Sequence, residues 1–398
     1  MRSAAPNTQH GMRQRNLSMV MRAIADHGPL SRARIAEHVG LTRAAVSTLV
    51  GELAGAELLV ELGRDRPGTV GRPGSALALS DRGPAGLGAE IGVDHLAVCA
   101  VDLRGEVRVK AEESAPNRDS SPSLVLGRLA GLVRRVADEA GAGGLRPAGL
   151  CVAVPGPVER GSTRVVRTPN LGWPPVDLGD ALSGTLPEPV PMTVANEANL
   201  GALAELWIGG HGPGLTDFVH VSAEIGIGAA VVVDGELLRG AHGFAGELGH
   251  VPVRPEGLPC RCGGRGCLEQ YAGEAAVLHA AGVVAPAGAG VELLRRSASD
   301  GDRAVLEALC GAGSALGIAL TATVQLLDPQ AVVLGGALAE LATWLAPAAE
   351  EELRRRLQLP RSRLVVSRLG RSGPLLGAAH SVVRAVLDDP LASGAPAG

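Results

Sequence analysis

A chain of 398 residues with 46% hydrophobic content is long enough for about two or three domains with cores of their own, which excludes a disordered or fibrous protein. No apolar run reaches the roughly eighteen residues that span a bilayer, and Met1-Arg2-Ser3-Ala4-Ala5-Pro6 lacks the hydrophobic centre of a signal peptide, so a cytoplasmic protein with no membrane partner is expected. The net charge of −4 is uneven: residues 1–82 hold eleven arginines against seven acidic residues, a net of +4, so nucleic-acid contact is expected from the front end alone.

Residues 1–11 are polar and expected to be disordered. From Gln14 to His27, Leu17, Val20, Met21 and Ile24 recur at helical spacing, and Gly28-Pro29 ends the run. Ser31 then caps a second helix through Val39, and Thr42 caps a third over residues 43–54 that turns Val46, Leu49, Val50 and Leu53 inward. This is helix-turn-helix grammar. Thr42, Arg43, Ala44, Ser47 and Thr48 lie at the start or on the opposite face of the third helix, where a recognition helix meets base edges and phosphates. Residues 58–62 and 75–79 alternate as two strands, joined by a Gly- and Pro-rich run carrying Arg64, Arg66 and Arg72. That pattern predicts a basic wing and a winged helix-turn-helix over residues 12–81, followed by a linker at Asp81-Arg82-Gly83-Pro84.

Beyond the linker, strands and helices alternate as in an α/β protein. Residues 87–101 and 106–111 read as strands around a turn at 102–105, followed by a helix within 124–140 and a buried strand at 149–154 ending in Pro155-Gly156-Pro157-Val158. A strand at 190–195 delivers Asn196-Glu197-Ala198-Asn199 to the start of a helix. After residues 217–221 a second unit of the same kind begins at Ala223-Glu224, with strands at 229–233 and 236–239 around Asp234-Gly235. The units near 90–111 and 224–239 read as a distant duplication. A long helix at 303–327 stops at Asp328-Pro329, a strand at 331–334 opens into Gly335-Gly336, and a closing helix covers 375–387. Residues 389–398 are expected to be a disordered tail.

The densest chemistry lies between Gly246 and Glu269. Here Gly246-Glu247-Leu248-Gly249-His250 precedes Cys260-Arg261-Cys262-Gly263-Gly264-Arg265-Gly266-Cys267-Leu268-Glu269. One imidazole and three thiols within about twenty residues form a tetrahedral Zn2+ pattern, with His250, Cys260, Cys262 and Cys267 as ligands. Four protein ligands fill the shell, so the expected role is structural. Cys99, Cys151 and Cys310 stand singly in apolar surroundings and read as reduced thiols.

This run resembles the zinc signature of the ROK family, a group of sugar-responsive repressors and sugar kinases, and the likeness extends over residues 85–388. The resemblance implies two ribonuclease-H-like lobes of the actin and sugar-kinase type around a cleft. It also implies that Glu247, His250 and Glu269 grip sugar hydroxyls, with Asn196, Glu197 and the weaker candidate Asn170 completing the site. Family kinases place an Asp where this chain has Glu197, and one added methylene displaces the carboxylate by roughly 1 Å, enough to reduce rate about a hundredfold. Their phosphate loops carry small residues where this chain has Asp94 in Glu90-Ile91-Gly92-Val93-Asp94 and Glu224 in Ser222-Ala223-Glu224-Ile225-Gly226. Anions there would repel a nucleotide. The expectation is therefore a non-enzymatic, sugar-responsive regulator, a repressor acting as a homodimer or dimer of dimers on double-stranded operator DNA. An ATP-dependent sugar kinase fused to a DNA-binding domain, and a sensor of a phosphosugar or a protein partner, are the alternatives.

Overall fold

The computed structural model describes residues 9–62, 75–168, 170–212, 214–223, 226–286, 288–357 and 362–392. At the front, helices Gln9–His27, Arg32–Val39 and Arg43–Gly55 close around Leu17, Val20, Met21, Ile24, Ile35, Val46 and Leu53. The Ser31 hydroxyl accepts from the Arg34 N–H and the Thr42 hydroxyl from the Ala45 N–H, so both expected caps are in place. Strands Leu59–Leu62 and Ala76–Leu79 pair antiparallel, and Leu30–Ser31 adds a third strand at the edge. The tip of the wing, with Arg64, Arg66 and Arg72, lies outside the described residues.

Three expectations about the ends and joints are corrected. The first helix starts at Gln9, so residues 9–11 are not disordered: once a helix is nucleated, each added residue gains a hydrogen bond, and no proline interrupts this segment. Residues 83–84 are not a linker but the start of strand Gly83–Ile91. The tail is folded as far as residue 392, where Pro390 is buried and Leu391 packs against the front core.

The body consists of two five-stranded sheets of identical design. In the first, strands Gly83–Ile91, His95–Val101, Val107–Ser114, Leu145–Val154 and Met192–Asn196 adopt the spatial order 3-2-1-4-5. In the second, Phe218–Ala223, Ile227–Val233, Glu236–Leu237, Ala331–Gly335 and Arg363–Val366 do the same. Both pair their first three strands antiparallel and add the last two parallel, so the suspected duplication is real at the level of topology. The run expected as one strand over 87–101 is divided by a tight turn at residues 92–94; the strands on both sides are buried on two faces, so no alternation marks the break.

Helix Pro122–Ala142 covers one face of the first sheet through Val125, Leu129, Val133 and Val136. The closing helix, Gly373–Asp388, covers the other, although it follows the second lobe in sequence. A Cβ on Gly86 would sit 2.3 Å from the Ala379 carbonyl oxygen and one on Gly88 2.6 Å from that of Leu375, so only glycine admits this backbone-to-backbone approach. The outer side of the closing helix meets the first helix. Leu375, Val383, Val386 and Leu387 share a core with Leu17, Val20 and Met21, Arg22 pairs with Asp388, and Gln14 donates to Asp389 at 3.4 Å. The winged helix is thus seated on the first lobe and not merely tethered to it.

Helix Arg303–Leu327 is long and apolar enough to cross a membrane by length and composition, contrary to the expectation drawn from the sequence. Its Leu309, Leu316 and Leu320 are fully buried in one cluster with Leu345 and Leu353 of helix Ala342–Arg356, which makes it the core helix of the second lobe.

Candidate functional site

The Glu-x-x-His element forms a short 3-10 turn, Leu248–His250, lying directly on strand Ile227–Val233. Gly246, at φ +102°, makes this possible: a Cβ there would stand 2.1 Å from the Ala229 carbonyl oxygen. The turn presents His250 with its Nδ1 3.7 Å from the Cys260 Sγ and its Nε2 3.8 Å from a Glu247 carboxylate oxygen. Cys262 and Cys267 bring their sulfurs to 3.6 Å, and the four ligand atoms all lie within 4.8 Å of one another. A metal–sulfur bond of about 2.3 Å makes the edge of a regular tetrahedron about 3.8 Å, so this donor set fits a tetrahedral ion and could hold a metal. Burial pushes the Cys260 thiol up to about 12 and raises that of Cys267, whereas the Gly264 N–H lowers that of Cys262. Binding a dication at such thiols therefore releases protons.

Around this loop the candidate sugar contacts line the space between the lobes. Glu269 turns one carboxylate oxygen to the Cys260 Sγ at 3.3 Å, while its other oxygen and the Asn170 side-chain nitrogen both border the vacant side of Gly226. Asn170 also lines a small pocket with Glu197, Glu90, Asp94 and His95. Glu247 faces Asn196 and Asn199 across a third, narrow space. Asn196 has a structural task as well: its side-chain oxygen caps helix Glu197–Ile208 by accepting from the N–H groups of Ala198 and Asn199, and its amide donates to the Gly156 carbonyl at 3.1 Å. It therefore positions Glu197 at the helix start.

The segment at residues 90–95, where family kinases are expected to carry a phosphate loop, holds a cluster that the sequence did not reveal. His95 places Nδ1 3.0 Å from Asp94 and Nε2 3.7 Å from Glu90, whose side chain is only 5% exposed. Burial opposes the imidazolium, but the two carboxylates outweigh it and raise His95 to about 10; in return Asp94 is lowered, chiefly by its hydrogen bond to His95. Asp94 is therefore not the bare anion expected to face a nucleotide. Glu274 and Arg371 of the second lobe complete the pocket wall, and burial raises the Glu274 carboxyl. The enclosed space is about 10 Å³, room for about one water. Glu224, the anion expected in the second loop, lies outside the described residues. A signal for His95 was present in the adjacent Asp94-His95 pair; Arg371 and Glu274 carried none, being remote in sequence.

On the recognition helix Arg43, Ala44, Ser47 and Thr48 are all exposed. The Ser47 and Thr48 hydroxyls donate back to the carbonyls of Arg43 and Ala44, which leaves their oxygens free to accept from outside.

The fold and cleft define the class, an actin-like two-lobed protein with a winged helix-turn-helix built onto its first lobe. The chain belongs to the ROK family, whose model matches residues 86–385. It is 29% identical over 376 residues to the xylose repressor of Bacillus subtilis (strain 168), covering 94% of this chain and 96% of that relative. Among solved structures it resembles a ROK family transcriptional regulator described as a homologue of the E. coli MLC protein, with 28% identity, a TM-score of 0.77, and 96% and 98% of the two chains covered. A ROK hexokinase from Thermus thermophilus is 29% identical with a TM-score of 0.61, but covers 77% of this chain.

Proposed function

We propose that this chain is a sugar-responsive transcriptional regulator, a repressor of carbohydrate uptake or metabolism genes, whose ROK lobes sense a ligand without phosphorylating it. The observation that carries the reading is a winged helix sharing one core with the first of two lobes, between which Glu197, Glu247 and Glu269 line pockets, with His250 beside Glu247. Likeness to a repressor along nearly the whole chain, against a hexokinase likeness that leaves out about a quarter of it, supports the same conclusion.

In this reading His250, Cys260, Cys262 and Cys267 hold one structural zinc that fixes the Glu247 and Glu269 carboxylates. Glu197, Glu247, His250, Glu269 and Asn170 bond the sugar, and Asn196 orients the helix that carries Glu197. Arg43, Ser47 and Thr48 read the operator, helped by Thr42, Ala44 and the wing residues Arg64, Arg66 and Arg72, with two copies on paired half-sites. Loss of kinase activity is attributed to Glu197 replacing the family's Asp and to the His95-centred network filling the phosphate subsite. A sugar that binds one arrangement of the lobes more tightly than another shifts their angle, and with it the seat of the winged helix.

The test is a genomic DNA fragment selected by the purified protein, titrated with a sugar library by fluorescence anisotropy and thermal shift. At least one sugar is expected to release the DNA and raise the melting temperature. Sugar-dependent ATP consumption near about one per second, within the ordinary enzyme range, would replace this reading by the kinase.

A further inference from the structure

The chain passes from the first sheet to the second after strand Met192–Asn196, through helix Glu197–Ile208, and returns after strand Arg363–Val366 to the closing helix Gly373–Asp388. A change of angle between the lobes has to be absorbed at these two crossings. They meet at one side chain, that of Glu205, which is 2% exposed in the last turn of helix Glu197–Ile208. Its carboxylate accepts from the Ser367 hydroxyl on the returning crossing and, at 2.6 Å, from His211 Nε2 on the outgoing one. The Ser367 hydroxyl also accepts from the Leu369 N–H at 3.0 Å, which fixes its direction.

Nothing local favours a carboxylate at this position. The C-terminal turn of a helix stabilises cations, and a buried charge is costly unless hydrogen bonds satisfy it. The backbone is nonetheless shaped to admit it. A Cβ on Gly209 would stand 2.5 Å from a Glu205 carboxylate oxygen and 2.8 Å from the His211 ring. One helical turn earlier, a Cβ on Gly201 would stand 2.7 Å from the ring of His220, on strand Phe218–Ala223 of the second sheet. Burial pushes His220 down to about 4, so that its ring is neutral at pH 7 and adds no charge beside Glu205. Apolar packing would stabilise a static joint as well, but it is indifferent to direction. A carboxylate shared by donors on two chain segments holds only while both keep one relative position.

We propose that Glu205, with Ser367 and His211, is a latch at the hinge, which holds the two crossings together and so fixes the angle between the lobes. It lies at the far end of the helix that begins with Glu197. To the sensor reading it adds the resistance that a cleft ligand has to overcome, since a ligand turns the lobes only by its difference in affinity for the two arrangements.

The experiment is hydrogen–deuterium exchange of the full-length protein and of its variants Ser367→Ala and His211→Gln, read by mass spectrometry over residues 205–212 and 364–372. Loss of a hydrogen bond to a charged group is expected to raise exchange at least about tenfold, and each substitution should do so in the crossing it does not touch: Ser367→Ala in residues 205–212, His211→Gln in residues 364–372. A rise confined to the substituted segment, or no rise, would overturn the proposal. Folding is checked by circular dichroism; should Ser367→Ala not fold, His211→Gln, at a side chain 12% exposed, decides alone. Both variants are also expected to weaken binding of a DNA fragment selected by the parent protein at least about threefold, because only the fraction of molecules with the required lobe angle then binds. Unaltered or tighter DNA binding would overturn the latch as a control on the winged helix. Failure of the parent to select any DNA would overturn the regulator reading instead, and the exchange measurement would still decide the latch.

Discussion

Replacing His95 by Gln takes away the imidazolium that bridges Glu90 and Asp94 and leaves their carboxylates, with those of Glu197 and Glu274, around a pocket of about 10 Å³ that Arg371 also lines. Its magnitude follows from two routes. His95 is raised from 6.5 to about 10, and at about 1.4 kcal/mol per unit this amounts to roughly 4–5 kcal/mol. Breaking a buried charge pair by removing one partner costs about 3–5 kcal/mol, which agrees. In a cooperative unit of the size of one lobe, 1 kcal/mol moves the melting temperature by about 2–4 °C, so His95→Gln is expected to lower it by roughly 10 °C at pH 6. The sign with pH is fixed. Because the folded-state value lies above the unfolded one, the stabilisation is complete below about 6.5 and is lost as pH rises through about 10. The gap between parent and variant should therefore narrow steadily across that window in melts followed by circular dichroism. Adding Asp94→Asn to the variant should recover part of the loss. A gap under about 1 kcal/mol, or one that stays constant from pH 6 to 10, would refute the assignment of an imidazolium to this pocket.

Purified protein is expected to contain one zinc per chain by elemental analysis, and Cys260→Ser with Cys267→Ser to contain none; full retention of zinc in the double variant would remove these ligands from the site. Glu197→Ala or Glu247→Ala should abolish release of operator DNA by the sugar without changing DNA affinity in its absence, as read by anisotropy, while Glu197→Asp should still show no sugar phosphorylation. Gly377→Ala would place a Cβ 2.0 Å from the Leu200 carbonyl oxygen, where the closing helix meets helix Glu197–Ile208; the overpacking should cost about 1–3 kcal/mol in denaturant unfolding and weaken the sugar response, and an unperturbed variant would show that these helices do not transmit it.

The cluster of His250, Cys260, Cys262 and Cys267, which could hold a metal, was legible in the sequence because all four lie in one short stretch, where glycines and spacing are read from neighbouring residues. The same holds for the winged helix: Leu17, Val20, Met21 and Ile24 mark the inner face of one helix, and Ser31 and Thr42 the starts of two others, through interactions that reach no more than four residues. The break at residues 92–94 was hidden because both flanking strands are buried on two faces and show no alternation. Other features depended on which surfaces meet. Asn196 spends its side chain on a cap and on Gly156, a carbonyl forty residues away. The closing helix crosses back to the first lobe because Gly86 and Gly88 leave it room, and so joins helix Glu197–Ile208 to the winged helix at the front. His95, Glu274 and Arg371 converge on one pocket although nearly three hundred residues separate the first from the last, since charges find partners through the docking of whole lobes and no local period records that.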